Sequence, residues 1–396
     1  MRSRFEGFMA IVKREIVSLY KDPDIRILVL IAPLFYSIFY ASIYLNKTES
    51  DIPIAVVDGC ASTLSRKYIS DLNAHQLIEV TATPSDISVA ELLLKSEKVQ
   101  GVIVIPNDFE AQLKAGKHST VKVVLNTQRF LHSNDINKAV NETGFEYAAE
   151  SRRKIFALRG VQPALSEEMI EPVKEELRFL FNPVITYGDF LIPGILMLVL
   201  QQTLILGLGM SMAKERQDGH LGRWFENARY STSAALTGKT AVYFVIFTTY
   251  AFFFISFHFS FFSIPVAAPV METLAMTALF IFANLSFGVL VGSFFREKLG
   301  VLHVIAFTSY PVFFLTGYAW PDVAFPEALK LLGDIFPLKP FIAAFIKTYR
   351  MGADISTVIP ELRHLFILAV MYSLLAYGRM RKVFKKCEVA RLKDEG

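Results

Sequence analysis

Charge-free apolar stretches of 19 residues or more recur along this 396-residue chain, at residues 27–45, 190–213, 240–271, 273–295 and 299–321. A helix needs about 20 apolar residues to cross a bilayer, because backbone N–H and C=O groups find no water there. The pattern therefore predicts an α-helical polytopic membrane protein. The tract from Thr240 is too long for one crossing, and Pro265 and Pro269 mark the outer end of a span finishing near His258. A sixth span is expected at residues 365–378, although only 14 residues separate His364 from Arg379. It crosses if Glu361, Arg363 and Arg379 snorkel to the interfaces. Otherwise it is a buried or interfacial helix.

A polar block separates the first span from the other five. Residues 46–184 read as apolar β-branched runs near residues 53, 77, 100 and 121, alternating with short helical segments. That alternation predicts an α/β domain with crossover helices. From Asn134 to Leu180 the pattern turns helical, broken into two helices by Gly160 and Pro163. Such a domain offers a docking surface or a ligand site. Ahead of the first span, Phe5, Phe8, Met9, Ile11, Val12, Ile16, Leu19 and Tyr20 alternate with charges at helical spacing and stop at Asp22–Pro23. Residues 1–24 are thus an amphipathic helix at the membrane interface. The remaining divisions are a first span at 25–45, a five-span domain at 185–380 and a basic tail at 381–396.

Charge then orients the spans. Six Lys and Arg precede the first, five lie between the second and third, and seven follow the last. The positive-inside rule places these segments, and both termini, in the cytoplasm, and the residue 46–184 domain outside it. One external segment, 318–360, is expected to be re-entrant and conflicts with the rule by carrying Lys330, Lys339, Lys347 and Arg350. No cleavable signal peptide is expected, since the first apolar stretch is longer than a signal core and lacks a small-x-small site. Cys60 and Cys387 fall on opposite sides in this topology and cannot pair. The net charge of +4 sits on the cytoplasmic rims, so it indicates membrane anchoring rather than nucleic-acid binding.

Catalytic chemistry is missing from the pattern. The Gly-Lys-Thr at residues 238–240 lacks the glycine five residues earlier that a phosphate-binding loop requires, Ser233 standing there instead. The seven histidines form no i, i+4 pair, and no cluster has metal spacing. No metal or cofactor is expected in the chain itself.

At residues 214–239, KERQDGHLGRWFENARYSTSAALTGK, the chain resembles the second cytoplasmic loop of type-2 ATP-binding-cassette (ABC) exporter permeases. That pattern runs Glu-Arg-x-x-Gly-Thr, then a basic and apolar stretch, then Gly-Lys. Glu215, Arg216, Gly219, Gly238 and Lys239 match it, while His220, Gly222 and Ala228 replace the usual Thr and the frequent Glu and Pro. Residues 313–352 are similar to the family's stretch between the fifth and sixth spans. The N-terminal KREIVSLYKDPDIRI is similar to its first interfacial helix. The one-plus-five layout around a large external domain is that of the drug- and antibiotic-export branch.

The resemblance implies one permease subunit of an ATP-driven exporter in the bacterial inner membrane. It would move an apolar or amphipathic small molecule. It implies a second permease copy or paralogue, separate cytoplasmic ATPase subunits that bind ATP and Mg, and, for export through two membranes, a membrane-fusion protein and an outer-membrane channel. Lys214, Glu215, Arg216, Gly219, Arg223, Trp224 and Phe225 would then form the ATPase-coupling loop, with Trp224 and Phe225 filling an apolar notch of the partner. The candidate substrate path is Gln201, Gln202 and Thr203 in the second span with Thr308, Ser309 and Tyr310 in the fifth. The same residues serve equally as hydrogen-bonding partners between helices. The alternative function is a membrane-anchored sensor or docking protein acting through the α/β domain.

Overall fold

A computed structural model describes residues 2–46, 49–170, 178–183 and 185–394, and the chain divides into two compact units. The unit of Met1–Lys47 and Arg178–Gly396 opens with α1 (Arg2–Lys21) and the first span α2 (Pro23–Ile43). Between them, the Asp22 side chain accepts hydrogen bonds from the N–H groups of Asp24 and Ile25, and Pro23 occupies the first helical position. A capping carboxylate followed by proline is a strong restart signal, so one helix ends and another begins at Asp22.

The unit Thr48–Leu177 contains β1 (Ile52–Asp58), α3 (Thr63–Asn73), β2 (Ile78–Ala82), α4 (Ile87–Lys95), β3 (Gly101–Ile105), α5 (Phe109–Lys114), β4 (Lys122–Leu125), α6 (Phe130–Leu158) and α7 (Pro163–Ile170). The strand order is β2-β1-β3-β4, with β1 parallel to β2 and β3, and β4 antiparallel to β3. Central strands β1 and β3 read as continuous apolar runs because both of their faces are covered. On one face Ile54, Val56 and Ile103 pack with Tyr68, Phe109 and Tyr147. On the other, Ala55, Val57 and Val102 meet Ala90 of α4. The expected second helix after Gly160 is found as α7; the part of that expectation at residues 171–177 lies outside the described residues, and residues 178–180 are not helical.

Returning to the first unit, α8 (Tyr187–Gln217), α9 (Leu221–Asn227), α10 (Thr232–Phe261), α11 (Val270–Gly292), α12 (Lys298–Leu315), the short α13 (Glu327–Asp334) and α14 (Leu338–Phe345), and α15 (Ile359–Asp394) complete the protein. It is mostly helical, and α2, α8, α10, α11, α12 and α15 are each long and apolar enough to cross a membrane. Helix α8 is apolar all round and 78% of its most apolar stretch is buried, which makes it the centre of the bundle. Its Gly209 lies backbone-to-backbone against Gly292 of α11, where any side chain would collide. Small residues of this kind let helices approach closely in lipid.

Two wide helical turns supply further glue. At residues Ile27–Ile31 and Phe254–His258 the backbone makes π-turns. Such turns leave carbonyls without their usual partner, at a cost in lipid unless another donor arrives. The hydroxyl of Tyr250 donates to Leu30 O at 3.0 Å, and that of Tyr349 to Ile255 O at 3.1 Å.

The sixth span is longer than its 14-residue apolar centre. Helix α15 runs 36 residues, with Glu361 accepting from Lys347 at 2.6 Å near one end and the Arg379 guanidinium 4.3 Å from the Phe294 ring near the other. Within residues 318–360, α14 packs against α8, α11, α12 and α15, and its Phe341 stacks on Phe280 of α11 at 3.9 Å. The four cations that conflict with the positive-inside rule are all locally occupied. Lys330, Lys339 and Lys347 pair with Glu327, Asp334 and Glu361, and Arg350 donates to the carbonyls of Pro265 and Phe181.

Candidate functional site

One end of the helix bundle gathers Asp22, the end of α8, all of α9, the starts of α10 and α12, and the last turns of α15; this end is termed the rim. Helix α1 docks on α10 here because Gly238 has no side chain. A Cβ at that position would lie 2.8 Å from Ile11 and 2.9 Å from the Phe8 carbonyl. Ile11, Glu15 and Leu19 share one face of α1 by their i, i+4 spacing, and all three are buried. A carboxylate in the middle of an apolar stripe requires partners.

Glu15 has three of them. It accepts from Lys239 Nζ at 2.6 Å, Ser211 Oγ at 2.5 Å and Tyr243 OH at 3.0 Å. The second carboxylate, Glu215, accepts both Arg14 guanidinium nitrogens, at 2.8 and 2.6 Å, and Lys239 Nζ at 3.2 Å. Lys239 is 0% exposed, bridges the two carboxylates, and lies 5.0 Å from the centre of the Trp224 ring. Two anions and two cations balance. Such a network adds little net stability over an apolar core, yet losing one member leaves an uncompensated buried charge. It ties α1, α8 and α10 into one piece.

A second set of ion pairs adjoins it. Asp22 accepts from Lys214 at 2.8 Å and Lys298 at 2.9 Å, and Lys298 also reaches Asp24 at 2.9 Å. Burial works to raise the Asp22 pKa, but the two ammonium groups and the Ile25 N–H outweigh it and hold the carboxyl at about 2. Arg216 donates to the Phe295 carbonyl at 3.3 Å.

The coupling-loop residues therefore divide into two groups. Lys214, Glu215 and Arg216 are committed to contacts within the rim. Trp224 and Phe225, expected to fill a notch on a partner, are instead buried inside this chain: Phe384 of α15 stacks on Phe225 at 4.5 Å and meets Trp224 edge-on at 5.1 Å. The correction has a legible cause, since Leu221, Trp224, Phe225 and Ala228 form an i, i+3, i+4, i+7 stripe that a seven-residue helix must bury. Gly219, which takes φ +69°, and Arg223 remain exposed, together with Gly222, Glu226 and Asn227. Helix α9 thus presents a polar face outward and is clamped from behind by α1, α10 and α15.

Within the bundle, a cavity of about 310 Å³ lies between α2, α8 and α12. Of the six candidate path residues, Gln202, Thr203, Ser309 and Tyr310 line it, joined by Tyr36 and Tyr40 of α2. Gln202 Nε2 and Ser309 Oγ both donate to the Ile305 carbonyl, at 2.7 and 2.9 Å. Thr203 donates to Val199 O. Gln201 and Thr308 are not brought to the cavity; Gln201 is buried with Oε1 unpartnered among the described residues, and Thr308 donates to Val304 O. The lining is largely apolar with an aromatic side.

Residues 24–377 match the family described as ABC-2 family transporter protein. This chain belongs to that family. A segment of 110 residues is 33% identical to the linearmycin resistance permease protein of Bacillus subtilis (strain 168), covering 28% of this chain and 28% of that protein. Over 368 residues the chain is 18% identical to the probable multidrug ABC transporter permease of Escherichia coli (strain K12), covering 92% of this chain and 93% of the relative. The chain is accordingly a multi-pass ABC-2 permease, and membership implies an ATPase partner. The matched residues include Ser211, Glu215, Trp224, Lys239 and Tyr243. Arg14, Glu15, Asp22 and Phe384 lie outside them and were not singled out by the loop motif. The signal that could have found Glu15 is its place in the apolar stripe of α1.

Proposed function

We propose that this permease is half of a dimeric ABC exporter, that its rim faces the cytoplasm of a bacterial cell, and that the outward face of α9 is where an ATPase subunit docks. The carrying observation is the clamp. A seven-residue helix has little stability of its own, yet α9 is held from behind by Trp224 and Phe225 packed on Phe384, and the Lys239 ammonium over Trp224 belongs to the network that joins α1, α8 and α10. A push on α9 is thereby delivered to three helices at once rather than absorbed locally. ATP and Mg belong to the partner in this reading, and the α/β unit, inserted between the first and second spans, lies outside the cytoplasm. The aromatic cavity beside α2, α8 and α12 suits an apolar or amphipathic small molecule, with Gln202 and the tyrosine hydroxyls as its polar contacts.

The test replaces the outward residues, leaving the buried ones intact. Arg223→Ala with Glu226→Ala should reduce co-purification of the cognate ATPase about tenfold, the loss of roughly 1.4 kcal/mol of contact energy. The melting temperature of the permease should not change. Equal co-purification and equal substrate-stimulated ATP hydrolysis would return α9 to the status of a solvated helix.

A further inference from the structure

Seven cations of the rim are committed to partners within it. Arg14, Lys214, Lys239 and Lys298 pair with carboxylates, Arg26 and Arg216 donate to backbone carbonyls, and Arg379 lies over the Phe294 ring. One polar cleft of about 540 Å³ gathers three arginines outside this set. It is lined by Arg4 of α1, by Arg229 to Ser233 at the start of α10, and by Tyr377 and Arg381 of α15. No carboxylate among the described residues lies within ion-pair distance of Arg4 or Arg381. Among the described residues, the carboxylate paired with Arg229 is Glu6 at 3.7 Å, with both side chains more than half exposed. An exposed pair at that distance contributes little and is easily exchanged for a better anion.

Three guanidinium groups around one opening repel one another unless an anion sits among them, and their planar forks match phosphate oxygens two at a time. The fourth wall adds to the same field. Ser231 caps the N-terminus of α10, its hydroxyl 3.0 Å from that of Ser233 and accepting from Ala234 N–H at 3.3 Å. The first turn of a long helix carries a partial positive charge. Location narrows the source of the anion. Tyr377 and Arg381 follow the apolar centre of the last span directly, and Tyr377 is partly exposed beside the outward-facing Leu374 and Leu375. Tyrosine and arginine at the end of a span mark headgroup depth.

We propose that this cleft binds the phosphate group of an anionic membrane lipid, held by Arg4, Arg229 and Arg381 against the start of α10. The occupant would hold α1, the α9–α10 turn and α15 together from the membrane side. The proposal rests only on the chain being a membrane protein and is independent of transport direction or substrate.

Native mass spectrometry of the purified full chain in detergent provides the test, with phosphatidylglycerol, phosphatidylcholine and inorganic phosphate titrated separately. Wild type should retain phosphatidylglycerol about tenfold better than phosphatidylcholine, and the R4Q/R229Q/R381Q protein should lose that preference. The R4K/R229K/R381K protein, which keeps charge but not the fork, should fall between them. K382Q/K385Q/K386Q, an equal charge change on the exposed side of α15, should behave as wild type. A preference surviving in R4Q/R229Q/R381Q, or lost equally in K382Q/K385Q/K386Q, overturns the site. Saturation by inorganic phosphate at the concentration where phosphatidylglycerol binds overturns the lipid as its source. Should R4Q/R229Q/R381Q fail to fold, Arg381→Gln alone decides, with a several-fold loss of preference expected.

Discussion

The two ends of the helix bundle are held together by different chemistry. At the rim, helices are joined by buried ion pairs: Glu15 and Glu215 around Lys239, and Asp22 between Lys214 and Lys298. At the opposite end the joints are mostly rings and hydrogen bonds to carbonyls, with one part-exposed ion pair: Tyr44 with Tyr187, Phe190 with Tyr318, Ala267 N–H to Tyr349 O, Arg350 to Pro265 and Phe181, and Lys347 with Glu361. A joint made of shared ions is all-or-none, because removing one partner strands the rest in a low-dielectric site. Joints made of separate hydrogen bonds fail one at a time. The contrast predicts that the rim resists local opening more than the far end does.

The largest expected effect is at Lys239. Lys239→Met leaves Glu215 with Arg14 alone and buried Glu15 with hydroxyl partners but no cation, and should destabilise the permease by about 3–5 kcal/mol. Adding Glu15→Gln restores the balance of charge and should recover a substantial part of the lost melting temperature. A Lys239→Met protein that melts like wild type in detergent, or one that Glu15→Gln makes worse, would break the contrast.

At the far end, Arg350→Gln should cost less, about 1–3 kcal/mol, since it removes donors from two carbonyls and takes a nearby cation from one buried carboxylate, Asp189, where Lys239→Met takes it from two. Thermal melting of both variants in one detergent gives the ratio directly. A larger loss at Arg350 than at Lys239 would reverse the assignment of rigid and yielding ends.

The smallest effect is expected with pH. Asp22 has its carboxyl held at about 2 against an ordinary 3.8, so its ion pairs contribute fully above about pH 4 and fade as pH falls toward 2. Asp22→Asn should flatten that part of the stability-against-pH curve and leave the curve near neutrality lower by a constant amount. An unchanged acid limb in Asp22→Asn would show that other carboxylates govern it.

Six spans, the break after the first, and the strands near residues 53, 77, 100 and 121 were legible because each depends on local periodicity and length. The loop motif was legible as a pattern, and the structure supplies a physical reading of two of its positions: Gly238 lets α1 approach, and Lys239 serves two carboxylates. Other features depend on which chain segments meet. Trp224 and Phe225 looked like anchors for a partner because a short aromatic helix in a loop has no visible cover. The cover is Phe384, some 160 residues onward. The partners of Lys330, Lys339, Lys347 and Arg350 were equally hidden: Glu327, Asp334, Glu361 and the carbonyls of Pro265 and Phe181.

Sequence by itself determined that this chain spans a membrane, where five of its six candidate spans lie, and where an α/β unit is inserted, since backbone hydrogen bonding in lipid permits few alternatives; the sixth candidate gained its length only as the 36-residue α15. It also determined that α1 is amphipathic, with Ile11 and Leu19 among its apolar positions and the Glu15 carboxylate counted among the charges. Only the tertiary structure decided what that carboxylate is for. Burying Glu15 is tolerable solely where Lys239, Ser211 and Tyr243 arrive from α8 and α10, and where Glu215 and Arg14 complete the charge count. Pairing of this kind depends on distance in space, which separations of 196 to 228 residues along the chain conceal.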